Sequence, residues 1–263
     1  MGKITFLGTG TSQGIPMIGC NCKVCKSADP RDNRLRTSAL VEHNGFRILI
    51  DCGPDFRQQM LRQRISDLDA VILTHQHKDH TGGMDDIRAF NYFRQAAFPI
   101  YAEPNVQDSL KMEYSYAFAE HKYPGVPDYT LHTIGEEPFK ITKLLPDGTI
   151  SSIEITPIRV FHYRLPILGF RIGDMAYITD GSSIPETEFA KLQGVELFII
   201  NTVRKEKHIS HFSLPEALEV INRVGAPRNY LTHLSHQIGT HKELEAILPP
   251  NVKPAYDTLE LEF

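Results

Sequence analysis

Residues 71–86 read VILTHQHKDHTGGMDD and place three histidines and one aspartate within positions 75–80. The apolar run at 71–73 predicts a short buried strand, and the polar residues begin where that strand ends. Two glycines follow the cluster and predict a turn. A soluble chain rarely gathers so many imidazoles at one strand end without a chemical use for them.

The spacing within this cluster favours metal binding. His75 and His77 are alternate residues, so on extended chain their side chains point to the same side. Asp79 and His80 follow where the chain turns into a helix, and such a turn can present both to one point. Imidazole and carboxylate ligands together suit zinc, manganese or iron.

Three further candidates occupy the same local context, an apolar strand followed by a polar residue and a turn. His162 ends IEITPIRVFH, Asp180 ends MAYITDG before its glycine, and His233 lies at the end of NYLTHLSH. Polar groups at the places where loops leave a rigid sheet are typical of functional sites.

Taken together, H-x-H-x-D-H, a later His, an Asp in a T-D-G turn and a late His resemble the metallo-β-lactamase superfamily. The resemblance implies an α/β fold, a four-layered αβ/βα sandwich with a two-metal site at one edge. It also implies that one ion is held by His75, His77 and His162. The other ion would be held by Asp79, His80 and His233, and Asp180 would bridge the two.

Two ions roughly 3.5–4 Å apart lower the pKa of a shared water and clamp the oxygens of a phosphoryl or acyl group. The dioxygen-reducing branch of the superfamily typically carries Glu at the second motif position. His77 occupies that position here, which favours hydrolysis.

Cysteine spacing predicts a second metal site. Cys20, Cys22 and Cys25 supply three thiolates, and His236 is the best candidate for the fourth ligand of a tetrahedral structural zinc. An unliganded or redox-active cysteine loop is the alternative. Cys52, in IDCGPD, is expected to be a small buried residue.

The cysteine loop and the late H-x₂-H resemble the phosphoribosyl 1,2-cyclic phosphate phosphodiesterase subgroup, as do Gly8-Thr9-Gly10 and Gly19-Cys20. By this resemblance His211 is a catalytic residue outside the metal shell, which donates a proton to the leaving group or holds a phosphate oxygen. Asp79 is expected to serve catalysis as well as metal binding. His208 is a weaker candidate for the role of His211, and Asp257 could orient a histidine.

Composition limits the class of partner. The 263 residues carry a net charge of −4, so binding of nucleic acid through a basic field is not expected. No apolar run reaches the ~18–20 residues of a membrane span, and MGKITFLGTG lacks a signal-peptide core. We therefore expect a cytoplasmic protein that does not bind membranes.

We expect residues 1–263 to form a single domain with an insertion or lid at about 105–150. Within it, 105–120 is predicted to be helical and 121–150 irregular. Its aromatic side chains could line the substrate pocket or cover a partner in a homodimer. Elsewhere, Asn44-Gly45 predicts a hairpin, and Ser213 with Glu216 predicts a capped helix that ends at Gly225.

The leading functional hypothesis is a hydrolase with two divalent ions, Zn or Mn or possibly Fe, that acts on a small cyclic or linear phosphodiester. One alternative is 3′-end processing of RNA, as in the related tRNase Z endonucleases. The chain is net acidic and has no evident basic arm, which argues against it. A second alternative is a metal-binding or carrier protein without turnover, against which the retention of all seven ligand positions argues.

Overall fold

The computed structural model describes residues 2–263, which build two seven-stranded sheets with helices on their outer faces. Each sheet buries one face against the other sheet and one face against helices, so most strands are apolar on both faces. The arrangement is the predicted four-layered αβ/βα sandwich, and the fold prediction is confirmed.

The first sheet comes from the N-terminal half and the last strand. Its strands, in spatial order, are β14 (Glu260–Glu262), β1 (Gly2–Gly8), β2 (Ser38–His43), β3 (Phe46–Ile50), β4 (Ala70–Ile72), β5 (Phe98–Ala102) and β6 (Tyr129–Thr133). The strands β2 and β3 form the predicted hairpin around Asn44-Gly45, where both residues have positive φ. From β3 to β6 the pairing is parallel, so the carboxyl ends of these strands meet at one edge.

The second sheet repeats this plan in the C-terminal half. Its strands are, in spatial order, β13 (Val252–Pro254), β12 (Arg228–Thr232), β11 (Leu197–Asn201), β10 (Met175–Ile178), β9 (Leu165–Ile172), β8 (Ile150–His162) and β7 (Phe139–Leu144). Strands β10, β11 and β12 are parallel, and β9 runs antiparallel to both β8 and β10. The carboxyl ends of β8, β10 and β12 therefore share one edge.

Residues 2–263 contain six α-helices, which pack outside the sheets or lie in the connecting loops: α1 (Phe56–Arg62), α2 (Lys78–Thr81), α3 (Arg88–Arg94), α4 (Pro104–Glu113), α5 (Leu214–Val224) and α6 (His241–Glu245). The predicted cap of α5 is present, because Ser213 and Glu216 form a capping box and Gly225 ends the helix with φ of 71°.

The main core lies between the two sheets, and it includes Phe6, Ile48, Phe170 and Tyr177, which are all inaccessible to solvent. Each sheet also has a second core beneath its own helices. The main-chain N–H of Leu168 in β9 donates to the carbonyl of Thr74, which directly precedes the histidine cluster. The sheets are thus joined by a hydrogen bond at the edge where the cluster lies.

The segment 105–150 is more regular than predicted. It contains the rest of α4, then β6 and β7, and each of these strands forms the edge of a different sheet. The expectation that 121–150 is irregular is therefore wrong at 129–133 and 139–144. Alternation in YTLHT and FKITKL was the available signal, but the many Pro and Gly residues around it obscured these strands. The role of the segment as a lid stays a prediction.

Within residues 2–263, no helix is both long enough and apolar enough to cross a membrane.

Candidate metal centre

The predicted ligands converge at the shared edge of the two sheets. His75 and His77 follow β4, and Asp79 and His80 lie in the short helix α2, whose N-cap is His77. The remaining three come from the second sheet, since His162 ends β8, Asp180 follows β10 and His233 follows β12. Strand direction, which the pairing sets, brings residues from distant parts of the chain to one place.

The backbone at this edge is held in an uncommon conformation. Asp51, Asp180 and His233 all have positive φ, at 63°, 58° and 54°. Non-glycine residues adopt this region rarely, and such residues cluster at functional sites because the surrounding packing must hold them there. Here each one turns the chain at a strand end so that its side chain lies over the sheet edge.

Asp51 is a site residue that the sequence reasoning missed. Its carboxylate is fully buried and accepts hydrogen bonds from the N–H and hydroxyl of Thr74. It also lies 2.7 Å from Nδ1 of His80, so that nitrogen donates and Nε2 is left as the free donor atom for a metal. The signal was present, because Asp51 directly follows the apolar strand FRILI and its neighbour β4 ends in the histidine cluster.

Asp180 lies at the centre of the cluster with a different histidine facing each carboxylate oxygen. Its Oδ2 is 3.2 Å from Nε2 of His80, and its Oδ1 is 3.1 Å from Nε2 of His233. The Nε2 of His80 is also 3.3 Å from Asp79. Zinc binds nitrogen and oxygen at about 2.0–2.2 Å, so two ligand atoms in a tetrahedral site lie roughly 3.4 Å apart. The separations observed here are close to this value and suit ligands of one ion.

Two groups of donor atoms lie within 4.8 Å of one another: Asp79, His80, Asp180 and His233 form one, and His162, Asp180 and His211 form the other. Asp180 belongs to both, as a residue between two ions would. Rings of the three histidines predicted for the other ion are also adjacent, with centroids 4.6 Å apart for His75 and His77 and 5.1 Å for His77 and His162. The division of the seven ligands between two ions stays a prediction.

Unpartnered nitrogen atoms show that the residues fit a metal. The Nε2 atoms of His75, His80 and His233 are buried and have no hydrogen-bond partner. A buried polar atom without a partner costs about 1–3 kcal/mol, and several together at one point require something to bind them. Divalent cations would satisfy them, since each nitrogen is a lone-pair donor when the imidazole is neutral.

Electrostatics agree with a site built for cations. Burial favours the neutral form of His80, but the carboxylates of Asp180, Asp51 and Asp79 outweigh it and raise the pKa of His80 well above its usual range. Burial likewise favours neutral Asp180, yet His233 and His80 hold the pKa of Asp180 well below its usual range. The carboxylates of Asp180, Asp51 and Asp79 therefore concentrate negative charge at the site, and this charge favours the binding of cations.

The main chain orients His162. Its Nδ1 lies 2.9 Å from the carbonyl oxygen of Asp180 and 2.8 Å from that of Ser210, so Nδ1 donates and Nε2 is free to bind a metal. His211 comes from the same loop as Ser210, and its Nδ1 is 3.6 Å from Oδ1 of Asp180. His211 is thus within reach of the same ion as His162, and its predicted role as proton donor stays a prediction.

The cysteine cluster has the geometry of a tetrahedral zinc site. Nδ1 of His236 lies 3.2, 3.4 and 3.8 Å from the Sγ atoms of Cys20, Cys22 and Cys25. Zinc bonds of about 2.3 Å to sulfur and 2.0 Å to nitrogen separate tetrahedral ligands by roughly 3.5 Å, in the middle of this range. The N–H of Cys25 donates to Cys22 and, with His236 assisting, lowers the pKa of the Cys22 thiol to about 6, which favours the thiolate.

The structure also shows the surroundings of Cys52 and Asp257, the two other residues singled out in the sequence. Cys52 is completely buried, as predicted, and burial raises the pKa of its thiol. Asp257 does not contact a histidine of the site; it accepts hydrogen bonds from the N–H and hydroxyl of Thr9 and from the N–H of Leu35. Since the carbonyl of Thr9 accepts from the N–H of Leu234, Asp257 supports the chain beside His233 through the Gly8-Thr9-Gly10 loop.

Comparison with known proteins assigns the family. Residues 46–234 match the model of the beta-lactamase superfamily domain, so the chain belongs to the metallo-β-lactamase superfamily. The matched range contains every one of the seven predicted active-site ligands. The fold implies divalent metal ions at the site.

The chain is also similar to individual proteins. It is 36% identical to a structure described as a new diphosphatase from the PhnP family, with a TM-score of 0.89 over 100% of this chain and 98% of that one. It is 44% identical over 98% of its length to an octanoyltransferase of Porphyromonas gingivalis, of which the match covers 51%. Coenzyme PQQ synthesis protein B of Rhodopseudomonas palustris is 31% identical over 60% of the chain and 52% of that protein. The chain thus spans about half the length of these curated relatives. The predicted resemblance to the phosphodiesterase subgroup is confirmed by the match to the PhnP-family structure.

We expect Asp180→Ala to lose at least one bound metal ion and to lower activity by more than about 100-fold, because even outer partners of ligands typically contribute about 10–100-fold. Elemental analysis of the purified variant measures the first effect. Asp174→Ala is the matched control, since Asp174 is exposed at the opposite end of β10. Full metal content in Asp180→Ala would contradict the bridging role.

We expect Cys22→Ser to lose one zinc and to lower the melting temperature, because three ligands hold zinc less well than four. Loss of activity would follow indirectly, through loosening of His233, which is three residues from His236. Cys52→Ala is the control for zinc content, as Cys52 lies outside the cluster. An unchanged zinc content and melting temperature in Cys22→Ser would favour a free or redox-active cysteine loop.

Proposed function

We propose that this chain is a phosphodiesterase that binds two divalent metal ions and cleaves a small cyclic or linear phosphodiester. The observation that carries the proposal is the set of buried imidazole nitrogens that surround Asp180 without hydrogen-bond partners. Similarity to a PhnP-family diphosphatase over the whole chain supports attack at phosphorus. When bound, the ions supply an activated water nucleophile and neutralise charge that develops on the phosphate.

The residues of this chain hold the ligands in one geometry before substrate arrives. Asp51 fixes the tautomer of His80, and the carbonyls of Asp180 and Ser210 fix that of His162. The hydroxyl of Thr179 donates to Oδ2 of Asp180 at 2.6 Å. Because these contacts are buried or partly buried, little reorganisation is needed during the reaction, and this is how a preorganised site lowers the barrier.

His211 is the residue that we assign to the leaving group. Burial is the main reason that the pKa of His211 is lowered to about 3, and the neighbouring His233, His162 and His208 add to it. A phosphate bound at the site adds negative charge nearby, which raises the pKa of an imidazole and favours a proton on it. His211 would then donate that proton to the departing oxygen.

A diphosphate is the second substrate class that a specific observation favours. The solved relative at 36% identity is described as a diphosphatase, so it acts on a phosphoanhydride. Hydrolysis of a phosphoanhydride and of a phosphodiester both proceed by attack of water on phosphorus, and the same ligand set serves both. The difference lies in the leaving group, which is a phosphate in one case and an alcohol in the other.

We do not propose octanoyl transfer as an activity of this chain. The relative with that name is about twice as long as the matched segment, so its name describes a larger protein. Three of the four cysteines here belong to the cluster with His236, and the fourth, Cys52, is fully buried. Zinc bound by the cluster, as predicted, would occupy the three partly exposed thiols, and burial keeps the fourth from an acyl donor.

The proposal is tested by incubation of purified, metal-defined protein with a panel of cyclic phosphodiesters, linear phosphodiesters and nucleoside diphosphate compounds. We expect turnover of at least one phosphodiester, with bis(p-nitrophenyl) phosphate as the reference. Cleavage of diphosphates alone would move the assignment to the second class. Cleavage of precursor tRNA alone would favour the RNA-processing alternative, and no turnover of any substrate would favour the carrier alternative.

We expect His211→Ala to hydrolyse substrates with poor leaving groups roughly 10²–10⁴-fold more slowly, because proton donation typically contributes that much. The loss should be smaller for p-nitrophenyl esters, since p-nitrophenolate departs without a proton. The measurement is kcat across a series of leaving groups, with His43→Ala as control, because His43 is a partly exposed histidine at the end of β2 far from the metal centre. Equal losses across the series would indicate that His211 binds phosphate or a metal ion instead.

A further inference from the structure

The loop of residues 203–213, between β11 and α5, closes over one side of the metal centre. Its two ends are held together, because the N–H of Val203 donates to the carbonyl of Phe212 and the N–H of Leu214 donates to that of Arg204. The N–H of Phe212 donates to the carbonyl of Gly181, directly after Asp180. The loop is therefore anchored on the site itself, and its side chains have defined positions relative to the ligands.

This loop presents two histidines at different depths. The ring of His211 is 4.9 Å from that of His233 and 4.6 Å from that of His162, so it lies against the ligands. The ring of His208 is 5.1 Å from that of His211. His233 is 2% exposed and the side chain of His211 is 13% exposed, and both His211 and His208 are partly exposed residues. His208 lies between the exposed residues 205–207 and 209, whereas His211 is followed by the buried Phe212. His208 thus stands on the solvent side of His211.

The hydrogen bonds of His208 define which nitrogen is free. The N–H of Ser210 points to Nδ1 of His208 at 3.3 Å, and the hydroxyl of Ser210 lies 3.4 Å from the same atom. Since a main-chain N–H can only donate, Nδ1 accepts and the proton of the neutral imidazole is on Nε2. The outer edge of His208 is therefore a hydrogen-bond donor.

The position of His208 is fixed by Arg204. The guanidinium of Arg204 donates to the carbonyl of Lys207 at 2.7 Å and to that of Glu206 at 3.3 Å, which are the two residues before His208. Its third nitrogen lies 3.5 Å from Oε1 of Gln237, next to His236 of the cysteine cluster. The main chain that carries His208 is held in this way, so less entropy is lost when His208 binds a ligand.

We infer that His208 is a further substrate-binding residue, which donates a hydrogen bond from Nε2 to an oxygen of the leaving-group portion of the substrate. The inference rests on the proposed function, because His211 marks the leaving-group side of the site. The next position outward along that row is His208. A hydroxyl or an anionic oxygen of the leaving group would satisfy this donor, whereas the phosphate under attack lies deeper, among the ligands.

The test uses His208→Gln and His208→Asn in the full chain. Gln keeps an N–H donor at about the distance of Nε2, whereas Asn keeps an acceptor for Ser210 and lacks the outer donor. The readout is binding of AMP and of inorganic phosphate to the metal-loaded protein, measured by calorimetry, so it does not depend on turnover. His43→Ala, at the end of β2 far from the metal centre, is the control.

We expect His208→Asn to weaken AMP binding roughly 3–10-fold, as loss of one hydrogen bond does, and to leave phosphate binding unchanged. His208→Gln should retain most of the AMP affinity. Equal AMP affinities in the two variants would overturn the inference. An equal loss of AMP and phosphate affinity in His208→Asn would also overturn it, as would a wild-type protein that binds AMP no more tightly than phosphate. If the wild type shows the expected binding pattern but hydrolyses no phosphodiester, the proposed function fails. If it hydrolyses a phosphodiester but His208→Asn binds AMP as tightly as His208→Gln does, only the inference about His208 fails.

Discussion

The interaction on which this structure depends is the contact of the buried Asp180 carboxylate with the imidazoles of His80 and His233. A carboxylate removed from water is costly unless it is paired and hydrogen-bonded. Here both oxygens face histidine nitrogens, and Thr179 donates to one of them. The negative charge of Asp180, Asp79 and Asp51 in one small volume is stable only with positive partners, and divalent cations are the partners that this donor set suits best.

That constraint explains the strained backbone at the edge of the sheets. Asp51, Asp180 and His233 adopt left-handed conformations that place their side chains over the ends of β3, β10 and β12. Conformations of this kind cost of order 1–3 kcal/mol each, so the rigid sheets beneath must hold them. Most core residues of both sheets have no solvent-accessible surface, which provides that rigidity.

A second layer of contacts connects the metal centre to the rest of the chain. Thr9, held by Asp257, accepts a hydrogen bond from the N–H of Leu234, and the N–H of Ser235 donates to the carbonyl of Val203, so the chain directly after His233 is held. The cysteine cluster includes His236, three residues further on. The loop of residues 203–213 contributes the carbonyl that orients His162 as well as His211 and His208. Residues from the first and last parts of the sequence therefore act on the same few ligands, and substitutions far from the ions can alter the site.

The sequence by itself determined the family, the seven candidate ligands and the composition of the cysteine cluster. The candidate ligands follow from local patterns, because a strand end followed by a turn is visible in hydrophobic periodicity and ligand types are visible directly. The family follows from the resemblance of the whole set of motifs to the metallo-β-lactamase superfamily. Only the tertiary structure decided which residues orient the ligands. Asp51 pairs with His80 because β3 and β4 are parallel neighbours, and Asp257 supports Thr9 rather than a histidine because of how β14 returns to β1. The strands β6 and β7 were also missed, since short edge strands are stabilised by the sheets they join rather than by their own sequences.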